Sequence, residues 1–465
     1  MRNQRGVALL VAIVVAVLLS LLGLSLTFMS LKEAGNAVEF ENHEKALMVA
    51  DGGLQMVKRT MRAYDLTEML NMSASVPYAS GGRMPILPID ARNINFESGA
   101  GTGASTCNGL LTPSDGQLIA LGDVRGRFFA KVSDDPDEAA VTGTADDPLT
   151  DSNNMVYVRV VGIYRGIGGE VTSYGSSRKN SVAVVEALLK RDQTFDLNSP
   201  ISFYGHNVTS GFAGNSFTID GYDHSGMTFD QITKGHSDAG LEPQYGVTCL
   251  YDDQNSGDAQ AAVNDVNNSL SKNQKNNITG AGGFPSITDG TDTVRDDTSN
   301  PDGTNIFDAD FLANFVNQVS AVADVKYETD AHISANPGIL GTEGHPLITV
   351  AEADLELSGN GSGVGILIVK GAFKVSGAFT FDGVILVVGD GDVTLGGTNK
   401  SFVGGMYVAN VQENGANYKF GTPTLSDSGN SNFYMDSDSI RLAYSLLPMR
   451  LISWREITPE IEPGS

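Results

Sequence analysis

Along the chain the apolar positions change period twice. Between Gly6 and Leu31 there is no charged residue, and VALLVAIVVAVLLSLLGLSLTFMSL after the glycine is almost continuously apolar. Twenty-five helical residues at ~1.5 Å each are long enough to cross a hydrocarbon core of ~30 Å. Further on the pattern opens into a stripe of Phe40, Leu47, Ala50, Leu54, Val57 and Met61, with His43 its one polar occupant and no Pro up to Arg62. This spacing predicts that the apolar run continues as one amphipathic helix from Val7 to Arg62, about 84 Å long if unbroken. Gly52 and Gly53 each weaken such a helix by up to about 1 kcal/mol, which close packing of another backbone would offset.

The period then shortens to two. QLIALGDV with RFFAKV (117–132), MVYVRVVGIYR (155–165) and SVAVVEALLKR (181–191) alternate and are rich in β-branched residues, which predicts a half-buried antiparallel sheet. Residues 75–116 read as loops, and DQTFDLNSP (192–200) marks a boundary. Beyond it SFTIDG (216–221) is echoed by AFTFDG (378–383). GILIVKG (365–371), GVILVVGD (383–390) and GGMYVAN (404–410) recur about every 18–21 residues, with FKVSG and VTLGG between them. Short β runs with glycine at a steady period predict a β-solenoid, preferred to a β-sandwich because the period persists. Between the two echoes, residues 222–345 read as a helical insertion: Ala259, Ala262, Val263, Val266 and Leu270 keep helical spacing, as do Phe307, Phe311, Phe315, Val319 and Val322. The lone Trp454 reads as a packing anchor.

Composition sharpens this division. The 30 basic and 55 acidic residues give a net charge of −25. Residues 1–62 hold seven of the basic and five of the acidic groups, so one end is +2 and the remainder −27. An acidic body repels phosphate backbones, which argues against nucleic-acid partners. Arg2 and Arg5 ahead of the apolar run predict the N-terminus in the cytoplasm and the body outside. A cleaved secretory signal needs a shorter apolar stretch and a small-residue site after it, whereas Lys32 and Glu33 follow directly.

A basic leader ending in glycine, QRG (4–6), then VALLVAIVV, LLGLS (21–25), AGN (34–36) and KALMVADGGLQ (45–55) resemble the N-terminal domain of PilX-type minor pilins of type IV pili. The resemblance implies a leader over 1–6, cut by a prepilin peptidase between Gly6 and Val7 with methylation of the Val7 amine. It also implies a pilin helix over 7–62 (7–31 in the bilayer), a pilin-like β head over 63–195 and a β-solenoid-like module over 196–465. The implied class is α+β: a long transmembrane and amphipathic helix packed on an antiparallel sheet, followed by the solenoid with its insertion. The implied partners are other minor and major pilins, the peptidase, the inner-membrane assembly platform and, before assembly, the lipid bilayer of a Gram-negative cell. Major pilins carry Glu at the fifth mature position, and here that position is Val11. Such a Glu would pair with a neighbouring subunit's N-terminal amine, and an unpaired ammonium in apolar packing is costly. A chain with Val11 therefore fits a filament tip or a priming complex.

The search for chemistry returns little. G-x-S-x-G, H-E-x-x-H and the P-loop pattern are absent, and GNGSGVG (359–365) precedes a strand, as a solenoid corner would. No enzyme and no cofactor are expected. His224, His236 and Asp238 have a two-His spacing compatible with a metal but unspecific for one. Asp220 and Asp382 raise the thought of a glycosidase pair, yet both end equivalent repeats, so a turn role is favoured. Asn300 and Asp302 follow part of a calcium-loop spacing, with Thr298 and Ala309 where acidic ligands belong; DDPDE (134–138) is another acidic cluster. Cys107 and Cys249 could pair in an exported protein or stay as buried thiols. The expected function is assembly, priming or tip formation in a type IV pilus-like filament, with surface adhesion by the solenoid. The alternative is a membrane-anchored periplasmic polysaccharide-binding protein or enzyme.

Overall fold

A helix that must serve both a bilayer and a water-soluble sheet has to change its surface partway along, and α1 (Gln4–Thr60) does so near residue 46. The computed structural model describes residues 4–62, 66–71, 96, 109–113, 115–135, 149, 151, 154–165, 180–191, 199–235, 237–251, 259–291, 309–415 and 417–457. Among them α1 is the one helix long and apolar enough to cross a membrane. Leu18, Leu22 and Phe28 stand 54%, 60% and 64% exposed. Within this run Ser20 and Thr27 donate to the carbonyls of Ala16 and Gly23, each at 2.8 Å, so their hydroxyls need no water.

Two compact units follow from the contacts: Met1–Arg59 with Leu66–Lys190 and Arg450–Ser465, and Thr60–Asp65 with Arg191–Met449. In the first, β1 (Gln117–Leu121), β2 (Val124–Asp134), β3 (Met155–Tyr164) and β4 (Ser181–Arg191) pair antiparallel in sequence order. Ala46, Val49, Ala50, Leu54 and Val57 of α1 are buried against this unit's core. The buried stripe begins at Ala46, leaving Phe40 exposed and Leu47 half-buried, because the sheet covers only the last turns of the helix. The glycines work differently from the expectation. Side chains reach Gly52 and Gly53: a Cβ there would meet Leu121 and Phe128 at 2.6 and 2.7 Å. Backbone closeness is supplied instead by Gly162 of β3, where a Cβ would stand 2.4 Å from the Ala46 carbonyl oxygen.

The sheet has a fifth strand, Met449–Ile457, beside β4. Its Arg455 donates from Nε to Glu186 of β4 at 2.9 Å, while Arg159 of β3 donates to the other carboxylate oxygen at 2.7 Å. Burial pushes the Glu186 carboxyl up, but these hydrogen bonds outweigh it and hold the group below its usual range. Glu456 meets His43 of α1 at 2.7 Å. The end of the chain thus belongs with the first unit, whereas the sequence reading places it in a module running to 465. Trp454 is 43% exposed on this strand and is no core anchor.

In the second unit the described residues form one curled sheet of seventeen strands and a small antiparallel pair, Tyr222–Asp223 with Glu242–Pro243. Parallel strands stack as rungs in unbroken register. One inward column runs Val325, Thr349, Leu367, Ile385, Met406, Ile201, Val247, Ile287. The next inward column ends Val408, Phe203, Cys249, Asp289. A second face, Leu355–Leu357 on Phe373–Val375 on Val393–Leu395, alternates inward apolar with outward polar positions. There Glu356 bonds Lys374 at 3.0 Å and His332 at 3.3 Å outside.

The runs GILIV and GVILVV do not alternate, and the reason is burial on both sides. Leu367, Val369, Ile385 and Val387 face the interior, while Ile366, Ile368, Val384 and Leu386 lie under the helices Ala309–Ser320 and Ser437–Ser445. Segment 222–345 is also not a separate helical excursion. It contains the helices Gln260–Ser269 and Ala309–Ser320, but its strands Val247–Leu250, Ile278–Thr279 and Ile287–Asp289 extend the stack at one end. Val325–Tyr327 and Ala331–Ala335 begin the stack at the other. Ile201–Tyr204, first of these strands in sequence, lies between Met406–Ala409 and Val247–Leu250.

Gly365, Gly383 and Gly404 are in register at one corner, with φ of +123°, +127° and +111°. A Cβ on Gly383 would stand 2.2 Å from the Gly365 oxygen, and one on Gly404 2.2 Å from that of Gly383. Both the backbone conformation and the space demand glycine. Gly383→Ala is expected to destabilise the second unit by about 2–4 kcal/mol. Gly211→Ala, on an open edge with nothing near the added methyl, is expected to change it by less than about 0.5 kcal/mol. Thermal unfolding of the detergent-solubilised chain checks the contrast.

Candidate functional site: a buried Asp-His-Asp cluster and a carboxyl pair

The two sequence echoes occupy one structural column. Thr380-Phe381-Asp382 and Thr218-Ile219-Asp220 align through Ser401-Phe402-Val403 and Asn432-Phe433-Tyr434, three rung steps apart. At ~4.8 Å per step, Asp220 and Asp382 are about 14 Å apart, too far to flank one glycosidic bond. Each has built a different environment from the same turn.

Asp220 ends the strand Thr218–Asp220 and makes the local turn an aspartate favours: its Oδ1 accepts from the Tyr222 amide at 3.1 Å. Thr279, from the next rung, donates its hydroxyl to the same oxygen at 3.1 Å. The other oxygen, Oδ2, faces His224 Nε2 at 3.8 Å. On the far side of the ring, Nδ1 lies 2.8 Å from the Met435 carbonyl oxygen. A carbonyl can only accept, so Nδ1 carries the proton of that bond. The His224 amide donates to the same carbonyl at 3.0 Å, and the Met435 amide donates to the Asp220 carbonyl at 2.9 Å. The imidazole, wholly buried, is therefore aimed by backbone at both faces of the turn.

Asp238 completes the group. One ligand atom each from Asp220, His224 and Asp238 lie within 4.8 Å of one another. Asp220 is buried and Asp238 half-buried. Burial, and then the Asp238 charge, push the Asp220 carboxyl above its usual range, while His224 pulls it down. The Tyr434 phenol is pushed up by burial and by both carboxylates, and its ring stands edge-on to His224 at 5.7 Å. Of the metal-compatible set read from sequence, His224 and Asp238 come together, His236 lies outside the described residues, and Asp220 joins in its place. Asp220 was legible as a turn residue; its second role needed the partner loop.

Asp382 meets other company. It lies beside the Ser439 hydroxyl and near Asp436 and Glu343. Asp436 caps the helix Ser437–Ser445, taking the Ser439 amide at 3.2 Å and its hydroxyl on Oδ2. Oδ1 of Asp382 and Oδ1 of Asp436 are both buried without a hydrogen-bond partner. Burial first, and the neighbouring carboxylates after it, push the Asp382 carboxyl up to about 6. The run MDSDSI (435–440) announces the cap, but nothing local announces the pairing with Asp382.

The remaining candidates sit as follows. Asn300, Asp302 and Cys107 lie outside the described residues, as do the side chains of Gly6, Val7 and Val11, whose backbone is helical. Asp134 and Asp135, the described part of DDPDE, are buried at the end of β2 and not a solvated loop. Cys249 is a free, fully buried thiol whose pKa burial pushes well up, so it is an interior filler of its column.

A carboxyl raised in the folded state costs stability as pH rises through its folded value, because the unfolded chain ionises near 3.9 and the native one near 6. Asp382→Asn is therefore expected to match the parent near pH 4 and to exceed its stability by roughly 2–3 kcal/mol at pH 7.5. Denaturant unfolding across that range checks it; a difference that does not grow with pH contradicts it.

No family model matches the chain, and no curated protein does. Among solved structures, the competence-associated pilin ComZ from Thermus thermophilus is similar at 13% identity, over 90% of this chain and 97% of that one, with a TM-score of 0.20. A likeness of that size is too slight to carry fold or function from one chain to the other.

Proposed function

We propose that this chain is a pilin-like subunit of the PilX-type minor class, acting in the assembly, priming or tip of a type IV pilus-like filament. The observation that carries the reading is the division of α1. Residues 46–57 are committed to the first unit, while the side chains from Ala12 to Phe40 are exposed and mostly apolar, with Leu10 also 64% exposed. A surface of that extent has to leave water, in a bilayer or against the helices of other subunits. A plain anchor explains the first of these alone. The uninterrupted continuation of the span into the head, together with the QRG leader, AGN and KALMVADGGLQ, favours both in succession.

On this reading the prepilin peptidase cuts between Gly6 and Val7, and the methylated Val7 chain waits in the inner membrane with its acidic body outside. Major and minor pilins are its filament partners. Val11 supplies no carboxylate to a neighbour's ammonium, which suits a subunit with no such neighbour, at a tip or in a priming complex. The role is mechanical and not catalytic: a β-solenoid-like module carried outward by a helix, with adhesion its natural use.

Antibody against the 201–449 module is expected to label sheared filaments at one end. Leu18→Arg, costing about 2.5–3.5 kcal/mol at the centre of the span, is expected to lower the filament-associated fraction at least about tenfold. A chain that stays wholly in the envelope while filaments form normally would contradict the proposal and favour the anchored periplasmic protein.

A further inference from the structure

Besides the exposed helix, one group of the described side chains has the composition and spacing of a metal ligand set. Asp220 and Asp238 bring two carboxyl groups to a wholly buried imidazole, with one ligand atom of each of the three within 4.8 Å of the others. Two carboxyl groups and an imidazole gathered this closely can share one divalent cation. Buried charge is tolerated when paired or bound to metal.

The geometry favours the cation. Two ligands on one ion at ~2.0–2.2 Å can be at most about 4.2 Å apart, so the 3.8 Å between His224 Nε2 and Asp220 Oδ2 fits a shared ion and is too long for a hydrogen bond. Asp238, the one member not fully buried, brings the third ligand atom within 4.8 Å of the other two. The surroundings are those of a metal ligand set. His224 donates Nδ1–H to the Met435 carbonyl, which fixes the tautomer and aims Nε2 at the carboxylates. Asp220 is held by the Tyr222 amide and the Thr279 hydroxyl through its other oxygen. Outer contacts of this kind orient ligands before the ion arrives.

We propose that Asp220, His224 and Asp238 bind a first-row divalent transition cation, Zn2+ foremost. One imidazole and two carboxylates suit Zn2+ better than Ca2+, which prefers six or more oxygens. Three protein ligands leave a fourth position on the half-exposed Asp238 side for water or an incoming donor. The ion would tie the turn after strand Thr218–Asp220 to the loop at Asp238, and through the His224–Met435 bond to the neighbouring rung, a cross-link where the rungs lack a disulfide. The site is independent of whether α1 enters a filament.

The test uses the full chain in detergent, stripped with EDTA, then dialysed against Zn2+, Mn2+, Ni2+ or Ca2+, with metal content read by inductively coupled plasma mass spectrometry and unfolding followed thermally. One Zn2+ per chain is expected, with Tm raised by at least about 3 °C. Asp238→Asn and His224→Gln are each expected to weaken Zn2+ binding at least about tenfold. Asp390→Asn, an exposed carboxylate elsewhere, is expected to leave it unchanged. Asp238→Asn keeps the test open if the buried His224 variant fails to fold. Retention of none of the four cations overturns the proposal, as does Zn2+ held equally by the Asp238→Asn chain, and Ca2+ held in preference to Zn2+ overturns the choice of ion.

Discussion

A strand of four or five residues can neither satisfy its outward backbone groups nor bury its inner face alone, and in the second unit every rung depends on the next for both. Parallel register is the only arrangement that lets Leu367, Ile385, Met406, Ile201 and Val247 form one interior column while their amides and carbonyls pair across rungs. The corner at Gly365, Gly383 and Gly404 follows from that dependence, since any side chain there would force the rungs apart. The Asp-His-Asp cluster follows too: its members are distant in sequence from Thr279 and Met435 but adjacent across rungs.

The first unit solves a different problem with the same rule. Its sheet gains an inner face by receiving Ala46, Val49, Ala50 and Leu54 from α1, and it needs Gly162 to let the helix come close. What α1 then leaves uncovered, from Leu10 to Phe40, is the largest unmet apolar surface of the described chain. The filament reading is an account of where that surface goes at each stage: lipid first, other helices afterwards.

Much of this was legible because it is periodic. The helix shows as a spaced stripe, the β1–β4 sheet as alternation, and the corner glycines as a steady interval. The TIDG and TFDG echoes lie in one column because the same turn recurs at the same corner. What escaped has a common cause: nothing local encodes which edge a strand will join. Ile201–Tyr204 reads as the start of a module and sits beside its last long rung. Met449–Ile457 reads as the module's end and returns to the first sheet, where Arg455 finds Glu186. Continuous apolar runs at 365–369 and 383–388 were readable as strands, but their burial on both sides depends on helices far away in sequence. The metal-compatible set was half visible for the same reason: His224 and Asp238 are near neighbours in sequence, whereas the value of Asp220 to them depends on how its turn folds.

A filament subunit and a membrane-anchored protein differ most sharply in what happens at the first residues of α1. Intact-mass and N-terminal peptide analysis of the chain isolated from its own envelope separates them most directly. The filament reading predicts a mature chain that begins at Val7 and bears one methyl group on its amine. A chain that retains Met1, or one cut after the apolar run, would contradict it.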